Sequence, residues 1–410
     1  MSGKSKVYFR NLMSDVTRLV ARRQSAIIFG PRQTGKTTLI RQALHGIGGV
    51  MDYPLQHPQV RLELERDPAA LVRQVEAQSG HSIVFIDEAQ KVPALFDSVQ
   101  YLIDGKKASF IITGSSARKL KRKGTNLLPG RVKTFRLDPL QWNEFGWSEH
   151  GGTILSPVEG GDAIKGYSFE QSLIFGSLPG MVAIGDDSER KEMLTAYTHI
   201  YLEEEIRAEA LSRKVGAFGR FLELAARESG ECPNQSNLSV ESGVSAPTIK
   251  EFYSILEDTL VVERVDPFMR NARKRILATP RYYFFDIGVR NALARVPLNR
   301  ELLHTDKGKL FEHAVILEII RRIRSLKLDY RVHFWRTQGG AEVDCVIDKG
   351  DTVIPIEVKS SARVSLADLR GLRSFLESYP KLATKAFVVT QGRVPEKLSD
   401  NITAIPWGYL

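Results

Sequence analysis

Short apolar runs, each ending in small or polar residues, set the rhythm of the first 140 positions. Residues 26–29 are apolar between Ser25 and Gly30, residues 46–52 read as a turn and a second strand, and Ser82-Ile-Val-Phe-Ile-Asp87 is a third run. Ser109-Phe-Ile-Ile-Thr-Gly-Ser-Ser116 is the fourth. Unbroken rather than alternating hydrophobicity marks strands buried on both faces, as in a parallel sheet. The stretches between them carry helical spacing. Residues 7–21 place Leu12, Val16, Leu19 and Val20 on one side, and residues 37–44, 67–75 and 92–103 read as further helices. The third of these is expected to start with Asp67 as its cap and Pro68 in its first position. Alternating strand and helix predicts an open α/β sheet over residues 1–150.

The pattern changes after Gly151, Gly152, Pro157, Gly160 and Gly161, a loop-rich boundary. Residues 166–227 read as helices with an interruption at Leu178-Pro-Gly180. Residues 237–262 have helix-turn-helix form. Gly243 marks the turn, Ser245 can cap the second helix, and Ile249, Phe252, Tyr253 and Leu256 lie on one face, with a wing strand following at 260–265. Residues 309–323 form an amphipathic helix with Phe311, Val315, Ile316, Ile319, Ile320 and Ile323 inward. A hairpin, 332–336 and 342–347, turns at Gly339-Gly340. A third strand, 352–359, puts Ile354, Ile356 and Val358 on one face and Glu357 with Lys359 on the other. A helix at 366–376 and a strand at 386–390 complete the pattern. The expected organisation is an open α/β domain at 1–150, a helical segment at 151–230, a winged helix and linker at 231–300 and an α/β domain at 301–410.

Composition changes this picture little. The apolar 42 % and charged 26 % are ordinary for a globular chain of 410 residues, long enough for two or three domains. The two cysteines, Cys232 and Cys345, lack metal-ligand spacing and suit a reducing, cytoplasmic setting. Residues 1–7 do not read as a signal peptide, and no apolar run approaches a membrane span. Charge adds more. The net +10 is concentrated at Arg118, Lys119, Lys121, Arg122, Lys123, Arg131, Lys133 and Arg136, a stretch with no acid, and again at Arg270, Arg273, Lys274, Arg275 and Arg281. Clustered positive charge points to nucleic acid or another polyanion, or else to a solvated basic loop.

The chemistry begins where the first strand ends. Gly30-Pro31-Arg32-Gln33-Thr34-Gly35-Lys36-Thr37-Thr38 has the spacing G-x-x-x-x-G-K-T between a strand and a helix. In that setting backbone N–H groups point inward at a polyphosphate, the helix N-terminus adds its field, Lys36 reaches the β- and γ-phosphates and the Thr37 hydroxyl ligates Mg²⁺. ATP with Mg²⁺ is the expected ligand. The third strand closes in Asp87, suited to hold the ion, and Glu88, suited to activate the attacking water. Ser115 or Ser116 is the candidate polar sensor at the end of the fourth strand. Arg131, after the basic loop, is a candidate finger toward a neighbouring subunit's γ-phosphate, which would imply a homo-oligomer.

This order of motifs resembles the AAA+ ATPase superfamily. More narrowly, Gly30 to Thr37, Phe85-Ile-Asp-Glu-Ala-Gln90, Ile112 to Ser116, Tyr282-Tyr-Phe-Phe-Asp-Ile-Gly288, Gly308 to Glu312 and the stretches around Asp344 and Glu357 are similar to a group of prokaryotic ATP-binding proteins. In that group an AAA domain precedes a C-terminal domain of unknown function. The resemblance implies a helical lid that carries a further arginine to the nucleotide, with Arg190 and Arg207 both open as its identity.

Glu312, then Asp344, then Glu357-Val-Lys359 resembles the PD-(D/E)XK nuclease superfamily, so a restriction-endonuclease-like α/β fold is expected. Asp344 and Glu357 are oxygen ligands suited to Mg²⁺ or Mn²⁺, Lys359 would position the water, and Glu312 could serve a second metal. Val343 stands where the family usually has proline. The helix-turn-helix allows duplex DNA contact, yet its second helix carries only Lys250 against Glu251, Glu257 and Asp258, so packing is an equal alternative. Three readings follow: an ATP-driven enzyme that binds and cuts DNA, an ATP-dependent switch whose winged helix and inactive nuclease-like domain bind DNA or a protein, or a loader or clamp-type ATPase acting on another protein.

Overall fold

The computed structural model describes residues 7–115, 128–148, 153–156, 159–208, 215–269 and 278–410, with side chains of 200–208 and 215 left aside. Ser116 and the basic residues Arg118, Lys119, Lys121, Arg122, Lys123, Arg270, Arg273, Lys274 and Arg275 lie outside these, as does the side chain of Arg207. The described chain divides into two compact units, residues 1–139 with 255–261, and residues 140–254 with 262–410. Among the described residues no helix is long and apolar enough to cross a membrane.

The first unit follows the apolar pattern closely. Its strands are β1 (Ala26–Phe29), β2 (Val50–Pro54), β3 (Ser82–Asp87), β4 (Ala108–Gly114) and β5 (Lys133–Arg136). Helices α1 (Met13–Ala21), α2 (Lys36–Leu44), α3 (Pro58–Arg66), α4 (Ala70–Glu76) and α5 (Leu95–Asp104) alternate with them. The sheet runs β2-β3-β4-β1-β5, every pair parallel. One face packs Ile27, Val84, Ile86 and Phe110 against Leu71, Phe96 and Leu102. The other packs Ile28, Phe85 and Ile111 against Val16, Leu39 and Ile40. Unbroken apolar strands are therefore covered on both faces. Two local expectations shift. The first helix starts at Met13 rather than residue 7. The helix expected from Asp67 starts at Ala70, and Asp67 takes the backbone N–H groups of Ala69 and Ala70 from just outside it.

The second unit begins with α6 (Phe169–Phe175), α7 (Pro179–Ala183), α8 (Asp187–Ala208), α9 (Val215–Arg227), α10 (Gln235–Ser242) and α11 (Ala246–Asp258). The interruption expected at 178–180 is the start of α7, with Pro179 in its first turn. Gly243, at φ 75°, closes α10 and turns the chain toward α11, whose Phe252 and Tyr253 pack on Phe218 and Phe221. Helices α12 (Ile287–Leu293), α13 (Leu302–Thr305), α14 (Lys307–Ser325) and α15 (Arg370–Ser378) follow.

Strands β6 (Val262–Pro267), β7 (Arg281–Phe284), β8 (Arg331–Arg336), β9 (Glu342–Asp348), β10 (Val353–Lys359), β11 (Ala386–Thr390), β12 (Glu396–Lys397) and β13 (Ile402–Pro406) make one sheet in the order β12-β13-β11-β10-β9-β8-β6-β7. Helix α14 covers one face with Phe311, Val315 and Ile319 against Ile347, Ile356 and Val389. Helix α15 covers the other, with Leu372 and Phe375 against Val346, Val353 and Val388. The strand read as a wing has a different setting. It pairs antiparallel with β7 and, at Asp266 and Pro267, parallel with β8, so it extends the C-terminal sheet.

Asp286 fastens this unit. It caps α12 by accepting the Val289 N–H at 3.1 Å and takes the Ser177 N–H at 2.7 Å. Two backbone donors depend on one buried carboxylate, so Asp286→Ala should lower the unit's stability by about 2–4 kcal/mol. Trp142, Trp147, Trp335 and Trp407 all lie in this unit, so urea unfolding followed by tryptophan fluorescence reads it directly. An unchanged midpoint would remove Asp286 from that role.

Candidate functional site

In an all-parallel sheet the C-terminal ends of the strands share one edge, and ligands bind there. Here that edge gathers the loop after Phe29, Asp87 at the end of β3 and Ser115 just after β4. Strand β4 lies between β1 and β3, so the end of β4 stands between the phosphate loop and the Asp-Glu pair.

The loop is built for close approach. Gly35, at φ 90°, sits in the left-handed region as it opens α2, and a Cβ on Gly30 would meet the Leu137 carbonyl oxygen at 2.3 Å. The buried Lys36 donates from Nζ to the carbonyls of Gly30 and Pro31, each at 2.8 Å. The Thr34 hydroxyl also donates to Pro31, at 2.9 Å. Arg32 and Gln33 line the turn, and Thr38 is exposed on α2. Arg10 braces the loop from the N-terminal side, donating to the Thr34 carbonyl at 2.6 Å and the Asp138 carbonyl at 2.5 Å. Nothing in the spacing marks Arg10, because its role exists only once the chain has folded back.

A hydroxyl–carboxylate network crosses the edge. Thr37 donates from Oγ1 to both oxygens of Asp87, at 2.9 and 3.0 Å. Thr113 donates to the same carboxylate at 2.5 Å and accepts the Glu88 N–H at 2.9 Å. Glu88 itself is buried, with left-handed backbone at φ 62°. Gln90 donates from Nε2 to the Glu88 carboxylate and, at 2.9 Å, to the Ser115 hydroxyl. The expected Ser115 is thus joined to the acid pair. Thr113 and Gln90, not expected, do the connecting. The signal for Thr113 was a buried hydroxyl at the C-terminal end of an otherwise apolar run, one residue before Gly114. The Thr37 and Asp87 donors are oxygen-only, as Mg²⁺ requires.

Arg131 stands elsewhere. It precedes β5, and its guanidinium grips Asp104, which precedes β4, at 2.6 and 3.0 Å. Both residues lie at the sheet edge opposite the phosphate loop, so Arg131 adds nothing to this chain's own nucleotide site. Arg190, the first option for a lid arginine, is 1 % exposed. It donates to the Met181 carbonyl at 3.1 Å and lies 4.9 Å from the Tyr167 ring centre. That places it in the packing of α6, α7 and α8.

The C-terminal acids do come together, with a correction. Lys359 Nζ meets Glu357 Oε1 at 2.8 Å, Asp344 accepts the Val358 N–H at 2.8 Å, and the Tyr283 hydroxyl donates to Glu312 at 3.1 Å. Burial and the neighbouring Asp344 push the carboxyls of Glu312 and Glu357 up to about 8, and burial raises Asp344 as well. Arg281, read as part of a surface basic cluster, is buried among these acids. It pairs with Glu342, lies 3.5 Å from Glu312, and rests 4.6 Å over the Phe334 ring. Its clue was its place in the strand Arg281-Tyr-Tyr-Phe284, where Arg281 and Tyr283 share a face. Among the described residues Glu357 Oε2 is buried without a hydrogen-bond partner. Even so, among the described residues no three His, Cys, Asp or Glu side chains converge as a metal ion requires. With a guanidinium inserted, the set does not fit a divalent ion as it stands.

Residues 22–146 match a family model described as an AAA domain, 166–300 one described as Domain of unknown function (DUF8612), and 307–410 one described as Domain of unknown function (DUF4143). The chain is 25 % identical over 402 residues to the uncharacterized protein Rv2008c of Mycobacterium tuberculosis, covering 97 % of this chain and 83 % of that one. Among solved structures it is similar to the Walker-type ATPase PABY2304 of Pyrococcus abyssi, with 15 % identity, TM-score 0.46, and 71 % and 97 % of the two chains covered. It is also similar to the Orc1 protein of Aeropyrum pernix in complex with DNA, with 13 % identity, TM-score 0.29, and 73 % and 95 % covered. The matched N-terminal region, with its five-stranded parallel sheet, is an AAA-type P-loop ATPase domain.

Proposed function

We propose that this chain hydrolyses ATP with Mg²⁺ at the edge of the first sheet and uses the cycle to act on nucleic acid, DNA foremost, in the cytoplasm. The observation that carries the reading is the continuous network Thr37–Asp87–Thr113, with Glu88 anchored beside it. Lys36, whose ammonium is held within the loop, is the cation for the β- and γ-phosphates. Thr37 and Asp87 would hold Mg²⁺, which when bound neutralises phosphate charge. Glu88 takes a proton from water as the water oxygen bonds to the γ-phosphorus and the bond to the bridging oxygen breaks, leaving ADP and inorganic phosphate. Arg131 is proposed to serve a neighbouring copy in a homo-oligomer, a role that requires Asp104 to release it.

Support for DNA comes from the acid-free basic stretch of residues 118–136 and from the α10–turn–α11 pair followed by β6, read as a winged helix-turn-helix. Residues 301–410 are proposed to be a restriction-endonuclease-like domain, from the pattern Glu312, Asp344, Glu357 and Lys359 on a helix and two adjacent strands. Those residue types suit cleavage with Mg²⁺ or Mn²⁺. The inserted Arg281 favours the other reading, a nuclease-like domain kept for binding rather than cutting.

Labelled single- and double-stranded DNA, offered with Mg²⁺ or Mn²⁺ and with or without ATP, separates the readings. We expect salt-sensitive binding, with an affinity slope near −0.9 per duplex phosphate neutralised, and uncut DNA. Absence of binding would overturn the nucleic-acid reading. Cleavage that disappears in Asp344→Ala would restore the acids to catalysis.

A further inference from the structure

Glu88 has to present its carboxylate to a water molecule, yet its backbone is in a conformation that non-glycine residues seldom adopt, at φ 62° and ψ 48°. Something must hold the side chain that emerges from it. Thr113 fixes only the Glu88 N–H. The one side chain that bonds the carboxylate, among the described residues, is Gln90, two positions later in the short helical turn Ala89–Lys91. It takes one oxygen, Oε2. The same amide nitrogen bonds Ser115 just beyond β4. Gln90 therefore spans from the end of β3 to the end of β4, the strand next to the one that carries the phosphate loop.

Two further features show that this placement is built in. The Gln90 amide oxygen is buried and has no hydrogen-bond partner among the described residues, so the amide is committed through its nitrogen. The same oxygen lies 3.3 Å from where a Cβ on Gly114 would stand, so the strand end leaves room for the amide at that point.

We infer that Gln90 is a positioning residue for ATP hydrolysis: its amide aims the Glu88 carboxylate and ties it to Ser115. The inference rests on the proposed role of Glu88. It goes beyond that role in making the strand-end serine part of the same device, acting on Glu88 through Gln90 and not only on phosphate. A bystander glutamine would matter for folding or for nucleotide affinity. A positioning glutamine matters for kcat and only while Glu88 is a carboxylate.

The test is a mutant cycle on the full chain. Gln90→Ala should lower kcat by about ten- to a hundredfold, the cost of a misplaced catalytic group, with the affinity for a fluorescent ATP analogue held within about twofold. Ser115→Ala should fall in the same direction by less. Gln90→Glu, which sets two carboxylates against each other, should be at least as slow as Gln90→Ala. In a Glu88→Gln background, Gln90→Ala should cost little more, because there is no base left to aim. An unchanged or raised kcat in Gln90→Ala, or a full multiplicative loss in the Glu88→Gln background, overturns the inference while leaving ATP hydrolysis standing. Wild type without turnover removes both.

Discussion

Replacing Lys36 by alanine should raise the dissociation constant for ATP about 30- to 150-fold and leave the fold intact. Nζ is held at 2.8 Å from the carbonyls of Gly30 and Pro31, within the loop, and we propose that from there its ammonium meets the β- and γ-phosphates. A charge-assisted hydrogen bond contributes about 2–3 kcal/mol, and each 1.4 kcal/mol is about tenfold in affinity. The backbone cradle and the N-terminus of α2 remain in the variant, which is why the loss has a ceiling. Titration of a fluorescent ATP analogue checks this. Affinity within about threefold of wild type would mean that the loop does not hold the phosphates through Lys36.

The second large effect separates turnover from binding. Glu88→Gln keeps the size of the side chain and its hydrogen bond to Gln90, since the carbonyl oxygen of the new amide can accept it. It removes the base. A positioned base contributes about 10²- to 10⁴-fold, so kcat should fall by at least about a hundredfold with the ATP affinity unchanged. Asp87 cannot replace the base, because Thr37 and Thr113 both donate to its carboxylate. Phosphate release under single-turnover conditions is the measurement. Full activity in the variant would end the assignment of Glu88, and weakened nucleotide binding would make it a structural residue instead.

What could be read from the chain beforehand was local. The phosphate loop depends on spacing within nine residues, and the Asp87-Glu88 pair on where an apolar run stops. The strands of the first sheet announced themselves through unbroken hydrophobicity, and those of the second through alternation and the turn at Gly339-Gly340. Pairings between distant segments were not legible. Thr113 and Gln90 acquire their roles only because β4 is inserted between β1 and β3, and Arg10 only because the N-terminal segment returns to the loop. Arg281 was misplaced for a related reason. Four basic neighbours made it look like surface charge, while the alternation of its own short strand turned it inward, among Glu312, Glu342 and Asp344. The wing strand was found at nearly its true position, but a short strand does not declare its partner, and β6 took β7 and β8.

ATP turnover by the full chain, measured as phosphate release with and without duplex DNA, is the most direct measurement. Mg²⁺-dependent turnover in wild type should rise when DNA is added and, at an ATP concentration near the wild-type dissociation constant, fall steeply in Lys36→Ala. Turnover that DNA leaves unchanged would contradict the coupling to nucleic acid, and no turnover under either condition would contradict the account at its centre.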